Sequence, residues 1–285
     1  MTKTGEQQYL GLCKRILNSG TDIENKRTGK ICRTVINHDM VYDCDGGKLP
    51  LVTTRKVNWK SAIAEMIGYL RGYIDAQQFA DIGCNTWFAN ANENEAWMNN
   101  QYRKGENDLG LGFAYSQGRN FGVSHYDQFK NIIDKLSQGI DDRHLIMSLN
   151  NPDDYNVSCL HACQWNYTFS LLDGTLHLTA CSRSSDVPLG LVFNMVQTVF
   201  LLRIVAQITG HKAGKVFHKL VNCHIYEDQI ELMEAQVKRI PSHEPIFLIS
   251  PDIKTLEDLE TWVTLDNFDV TGYKHSPPIK YPFSV

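Results

Sequence analysis

The sequence predicts an α+β sandwich, with strands outside and one long helix buried inside. Three observations predict it. Residues 193–210 form the most apolar helical stretch, yet Asn194, Gln197, Arg203 and Gln207 interrupt it, which suits a core helix and not a membrane span. Residues 165–170, the pair Asp173-Gly174 and residues 175–181 read as a β-hairpin, because Asp-Gly between apolar runs favours the positive φ angles of a tight turn. No repeat, low-complexity tract or linker-like run divides the chain, so a single domain over residues 1–285 is expected.

The remaining elements follow in order. Residues 9–17 place apolar side chains at helical spacing, and residues 31–42 alternate, with Thr34, Val35, Ile36 and Val41 suiting one strand or two. Residues 60–72 are helical by period, and Gly72 suits the C-terminal cap. Glu65 lies inside that apolar stretch, so its carboxylate is either paired in the core or faces a cleft. Residues 83–111 are polar and rich in Asn, and they hold Trp87 and Trp97; a surface excursion around short helices is expected there. A helix at 129–136, a short strand at 145–149, a strand at 218–226 and an amphipathic helix at 227–239 complete the pattern before an aromatic-rich tail at 256–285.

Composition excludes several classes of function. The chain is 42% hydrophobic and 21% charged, ordinary for a globular protein, and its net charge of −4 gives no general attraction to nucleic acid or an anionic membrane. Neither DNA nor membrane is an expected partner, and any bound phosphate must be held by local arginines. The first residues, Met1-Thr2-Lys3-Thr4-Gly5, lack an apolar targeting core, which predicts a cytoplasmic location, the host cytoplasm if the gene belongs to a phage. Eight scattered cysteines form no tight framework and read as reduced thiols. Cys159 and Cys163 with His161 between them lack a second ligand pair, so no metal site is expected.

The chemistry concentrates around Cys163. A cysteine nucleophile needs thiolate character, which a neighbouring arginine favours, and Arg183 at the end of the predicted hairpin can return to Cys163 across the sheet. Arg183 with Ser184 also suits a phosphate: the planar fork donates two bonds and the hydroxyl a third. Asn194 offers a donor and an acceptor, matching the O4/N3 edge of uracil, although a polar residue in the first turn of a helix needs no ligand. His224 and Tyr226 alternate and share one strand face, where they can hold a ribose hydroxyl.

Taken together, the segments Asn25-Lys26-Arg27-Thr28-Gly29, Val52-Thr53-Thr54-Arg55-Lys56, Glu65, Asn85-Thr86-Trp87, the Cys163 segment, Arg183-Ser184-Ser185-Asp186-Val187-Pro188-Leu189-Gly190-Leu191-Val192-Phe193-Asn194, Asn222-Cys223-His224-Ile225-Tyr226 and the tail to Val285 resemble the thymidylate synthase family, in the family's order and over nearly the whole chain. The resemblance implies an α+β sandwich around a large mixed sheet, built as a symmetric homodimer. Arg27, Arg183 and Ser184 would hold the phosphate of dUMP in one subunit, with Arg143 donated by the other. Asp186, Asn194, His224 and Tyr226 would orient base and sugar. Lys56, Trp87, Leu160, Leu189, Gly190, Phe193 and Val285, together with Glu65, would surround 5,10-methylenetetrahydrofolate as co-substrate. Cys163 would add to C6 of the pyrimidine while Glu65 relays protons.

Departures from the family pattern lie near C5 of the base. Phe88 stands where the family has Asp, and the loop Gly110-Leu111-Gly112-Phe113-Ala114-Tyr115-Ser116-Gln117 is one residue longer than the family's, so the assisting tyrosine becomes Ala114 or a displaced Tyr115. These changes favour a dUMP hydroxymethylase, in which water completes the reaction, over a thymidylate synthase, in which hydride does. An inactive nucleotide- or RNA-binding homologue is the non-enzyme alternative; retention of Cys163, Glu65 and Arg183 argues against it.

Overall fold

The computed structural model describes residues 3–26, 28–111, 126–152 and 155–283. Helix α1 (Gly5–Ser19) starts at Thr4, whose hydroxyl accepts from the Gln7 amide while the Gln7 side chain accepts from the Thr4 amide, a reciprocal cap that fixes the first turn. From that turn the buried Glu6 carboxylate accepts from the amides of Thr53 and Thr54 at 2.8 Å each and from the Thr53 hydroxyl at 2.5 Å. Three donors compensate the buried charge and pin the segment that leads to Arg55 and Lys56.

Strand β1 (Thr21–Asn25) precedes β2 (Lys30–Asp43), so the region predicted to start at residue 31 is the second arm of a hairpin. Helix α2 (Trp59–Leu70) ends just before Gly72, whose φ of +72° is the left-handed conformation glycine adopts without cost. The short helices α3 (Ala76–Asp81), α4 (Phe88–Asn92) and α5 (Glu95–Met98) form the stretch expected to lie on the surface. That expectation is corrected. Trp87 and Trp97 are buried in the core, because two indoles gain more from leaving water than the Asn-rich exposed side of these turns needs to cover.

Helix α6 (Gln128–Ser137) and β3 (Ile146–Ser148) lead to β4 (Gln164–Leu172) and β5 (Thr175–Asp186), joined by Asp173 at φ 48° and Gly174 at φ 70°, the two positive angles the Asp-Gly turn requires. Helix α7 (Gly190–Ile208) then runs back, followed by β6 (Lys212–Tyr226), a single turn of 3-10 helix, α8 (Ile230–Gln236), β7 (Ile246–Ile249), α9 (Leu256–Thr261) and β8 (Phe268–Thr271). The amphipathic helix predicted over 227–239 is shorter than its pattern.

Six strands form a mixed sheet in the order β1-β2-β6-β5-β4-β3, parallel between β5 and β6 and antiparallel elsewhere; β7 and β8 pair separately. Helix α7 lies against β5, β6 and α2 with most of its surface buried, which makes it the core helix the sequence predicts, despite a length and hydropathy that would suffice to cross a membrane. Helices cover one face of the six-stranded sheet. The other face presents Val41, Trp165, Phe217 and Val221, each more than a third exposed.

Candidate active site

Cys163 immediately precedes β4, at a bulge where the register with β5 shifts between Gln164 and Asn166. Bulges re-aim side chains at the end of a strand, and this one follows directly on the half-buried thiol. The predicted return of Arg183 is found. Its amide donates to the Cys163 carbonyl at 2.9 Å, its Nε to the Ala162 carbonyl at 3.0 Å and its Nη2 to the His161 carbonyl at 3.0 Å. A fixed positive charge is thereby held along the backbone that carries the thiol, and the exposed remainder of the fork is open to an anion.

Behind β5, the Ser182 hydroxyl lies 2.9 Å from His218 Nε2, and the Tyr42 hydroxyl lies 3.0 Å from His218 Nδ1. Burial pushes the His218 imidazole down to about 3, so the ring is neutral at ordinary pH and joins the two hydroxyls as one donor and one acceptor. Register places Ser184 opposite Asn222 and Asp186 opposite His224 on the parallel neighbour β6.

His224 and Tyr226 do share a face of β6, with ring centroids 5.3 Å apart in an edge contact. His224 Nδ1 lies 2.8 Å from the Asn222 side-chain oxygen, and Asn25 donates to the Tyr226 hydroxyl at 3.1 Å. Asp186 ends β5 and accepts from the Leu189 amide at 3.2 Å, at the entrance to α7. Burial pushes its carboxyl up to about 6, against the lowering effect of the Leu189 amide, the Gln229 amide and the Arg55 charge.

Glu65 lies inside α2, buried and paired. Thr86 donates to Oε1 at 2.9 Å and Gln197 donates to Oε2 at 2.6 Å. Burial raises its carboxyl above the usual range, while hydrogen bonds from Thr86, Gln197, Tyr69 and Trp87 pull the other way. Tyr69 lies one turn on from Glu65; burial first, and then the Glu65, Cys84 and Cys163 groups, push its hydroxyl well above the usual range. Asn194 joins the same network: its Nδ2 donates to Gln197 Oε1 at 3.0 Å.

Around the opening of α7, Leu160, Leu189 and Phe193 are half-buried and pack on the apolar core beside the buried Trp87. Gly190 is exposed, and a methyl group added there would touch the Asp186 side chain at 3.9 Å and nothing nearer. Gly190 leaves this edge of α7 open, and the exposed Lys56 ammonium lies on the loop ahead of α2. Buried Arg55 donates to the Pro188 carbonyl at 2.5 Å and lies 5.3 Å from the Tyr281 ring, while Gln229 donates to the Pro282 carbonyl at 3.0 Å, so the C-terminal tail reaches the same edge.

Some expected residues are not brought in. Arg143 is exposed in the loop before β3. Arg27, Ala114, Tyr115 and Val285, with residues 112–117 of the loop, lie outside the described residues. Phe88 packs part-buried against the core, so an apolar contact stands at this position. Sequence reasoning missed Tyr69, Thr86 and Gln197 as members of the site. Spacing carried a signal for two of them: Glu65 and Tyr69 are four apart and Asn194 and Gln197 three apart, so each pair shares a helix face.

Comparison with known proteins agrees with this geometry. A family model described as thymidylate synthase matches residues 7–285. Over 283 residues, 98% of this chain and all of each relative, it is 59% identical to a thymidylate synthase of Aliivibrio fischeri, 57% to one of Shewanella halifaxensis and 55% to one of Vibrio parahaemolyticus.

Proposed function

Because the chain belongs to the thymidylate synthase family, we propose that it is a one-carbon transferase that methylates dUMP at C5, giving dTMP and dihydrofolate, through a single catalytic domain. The expectation of a hydroxymethylase, and with it of a phage gene, is corrected: the bacterial relatives that match end to end are named thymidylate synthase. The observation that carries the reading is the buried network in which Glu65 accepts from Thr86 and is tied through Gln197 to Asn194.

Within that reading each group has a task. Arg183 and Ser184, with Arg27, bind the nucleotide phosphate, and the neutral His218 holds the strand behind them. His224 and Tyr226 take the sugar hydroxyl, and Asp186 fixes the turn that presents the base. The Cys163 thiolate adds to C6, the electron pair moves to O4, and C5 becomes nucleophilic. Hydrogen bonds to O4 lower the energy of that enolate, and Glu65 serves as the proton relay for O4 and C5. Methylenetetrahydrofolate, when bound along Trp87, Leu160, Leu189, Gly190 and Phe193 with its anionic tail towards Lys56, supplies the one-carbon unit and the hydride. Departure of Cys163 from C6 restores the aromatic ring.

The test is the product pair. Incubation with dUMP and methylenetetrahydrofolate is expected to give equal amounts of dTMP and dihydrofolate; 5-hydroxymethyl-dUMP with tetrahydrofolate would reinstate the hydroxymethylase.

The open sheet face bears on assembly. Apolar groups gathered on a face that carries Arg183 support a homodimer formed there, in which Arg143 reaches the partner's phosphate. Val221, 47% exposed on that face, is expected to give a monomer when changed to Asp, measured by light scattering. The same change should lower kcat/KM for dUMP at least about tenfold, the worth of one charge-assisted phosphate contact. A dimeric Val221→Asp protein with full activity would place the interface elsewhere.

A further inference from the structure

A side-chain amide reads uracil only if it is held one way round. Uracil offers an acceptor at O4 and a donor at N3, and cytosine offers the reverse, so an asparagine free to turn about its last torsion satisfies either base. Asn194 alone therefore cannot account for a preference between them.

Gln197 supplies what is missing. It is 2% exposed, lies one turn beyond Asn194 on α7, and its Nε2 has two acceptors on α2: Glu65 Oε2 at 2.6 Å and the Ala62 carbonyl at 3.3 Å. A main-chain carbonyl can only accept, so the NH2 end of Gln197 faces α2 whether or not Glu65 holds a proton. Its Oε1 is left facing Asn194 and accepts from Nδ2 at 3.0 Å. Turning Asn194 over would bring its own oxygen against Gln197 Oε1, losing a hydrogen bond and opposing two lone pairs in a buried setting. Held in the observed sense, Asn194 has its second N–H and its oxygen left to offer, in the order that O4 and N3–H of uracil require.

We infer that Gln197 is a positioning residue that sets the preference of this site for uracil over cytosine, by fixing the orientation of Asn194 through a chain anchored on Ala62 and Glu65. The inference rests on the reading of Asn194 as the group that meets the base. It gives Gln197 a reason to interrupt an otherwise apolar core helix, beyond joining α7 to α2.

The test is the ratio of dissociation constants for dCMP and dUMP, measured by calorimetry on the full-length protein without folate. Gln197→Met keeps the volume and removes the amide; the ratio is expected to fall about tenfold or more, the worth of the lost hydrogen bond and the relieved repulsion. Gln197→Glu keeps an acceptor towards Asn194 and shares a proton with Glu65; its ratio should stay within about twofold of the wild type while the pH profile of turnover shifts. Equal weakening of both nucleotides in Gln197→Met, as a purely structural role predicts, would overturn the inference. So would loss of the preference in Gln197→Glu, which decides the matter should the Met variant fail to fold. Because binding is read without folate, a wild type that forms the hydroxymethyl product would refute the proposed reaction and leave this ratio intact.

Discussion

Replacing Cys163 by Ala is expected to lower kcat by on the order of 10⁴ to 10⁶, the range seen when a covalent nucleophile is removed, with dUMP affinity within about threefold of wild type. The two expectations separate because the groups that bind are distinct from the atom that reacts. Arg183 keeps its bonds to the main-chain carbonyls of His161 and Ala162, and its amide keeps the Cys163 carbonyl; none of these depends on the Cys163 side chain. The bulge at Gln164 is likewise a property of the backbone. Rapid-quench kinetics with dUMP and methylenetetrahydrofolate, together with calorimetric binding of dUMP alone, measure both quantities. Turnover within tenfold of wild type would remove Cys163 as the nucleophile. Unchanged function of Cys163→Ala in cells would favour the binding-protein alternative.

How much of this site could be read from the sequence depended on what kind of contact each residue makes. The hairpin that carries Arg183 was legible because its turn is a local matter: Asp173 and Gly174 announce their positive φ angles in their identities. The core helix was legible through its length and apolarity. The burial of Trp87 and Trp97 is hidden in the sequence because the polar residues between them outweigh the indoles in any local window. Strand β1 was missed for a related reason. Its residues Thr21-Asp22-Ile23-Glu24-Asn25 are almost wholly exposed, and what makes them a strand is pairing with β2.

Gln197 shows the limit most clearly. Its sequence signal, a polar residue in an apolar helix, says that a partner exists and not which one. The partner, Glu65, is 132 residues away in the chain, on a helix whose approach is set by packing. The pairing of Glu6 with Thr53 and Thr54 is of the same kind. In both, local chemistry predicts a need and only the tertiary fold supplies the answer. Phe88 is legible in the sequence only as a departure from the family pattern; its packing on the core is likewise a tertiary contact.

The second large effect is expected at Glu65. Glu65→Gln should lower kcat by about 10² to 10⁴, the usual worth of a general acid–base group, with KM for dUMP little changed because the phosphate is held elsewhere. The amide fits the same space and still accepts from Thr86 or Gln197, but it cannot take up or release a proton. Stability should move the opposite way. The carboxyl is raised in the folded protein by burial, so the native state holds this proton more tightly than the unfolded chain does. Its contribution to stability is complete below the ordinary glutamate range near about 4.3 and declines as pH rises through the raised native value. Gln carries no such dependence, so the Tm of Glu65→Gln relative to wild type should improve from acidic to neutral pH in paired calorimetric scans. A catalytic carboxylate kept at a cost in stability predicts this combination of lost turnover and relative gain in Tm. A structural carboxylate predicts instead a Tm that falls at every pH with kcat preserved in the folded fraction, and that outcome would return Glu65 to the core.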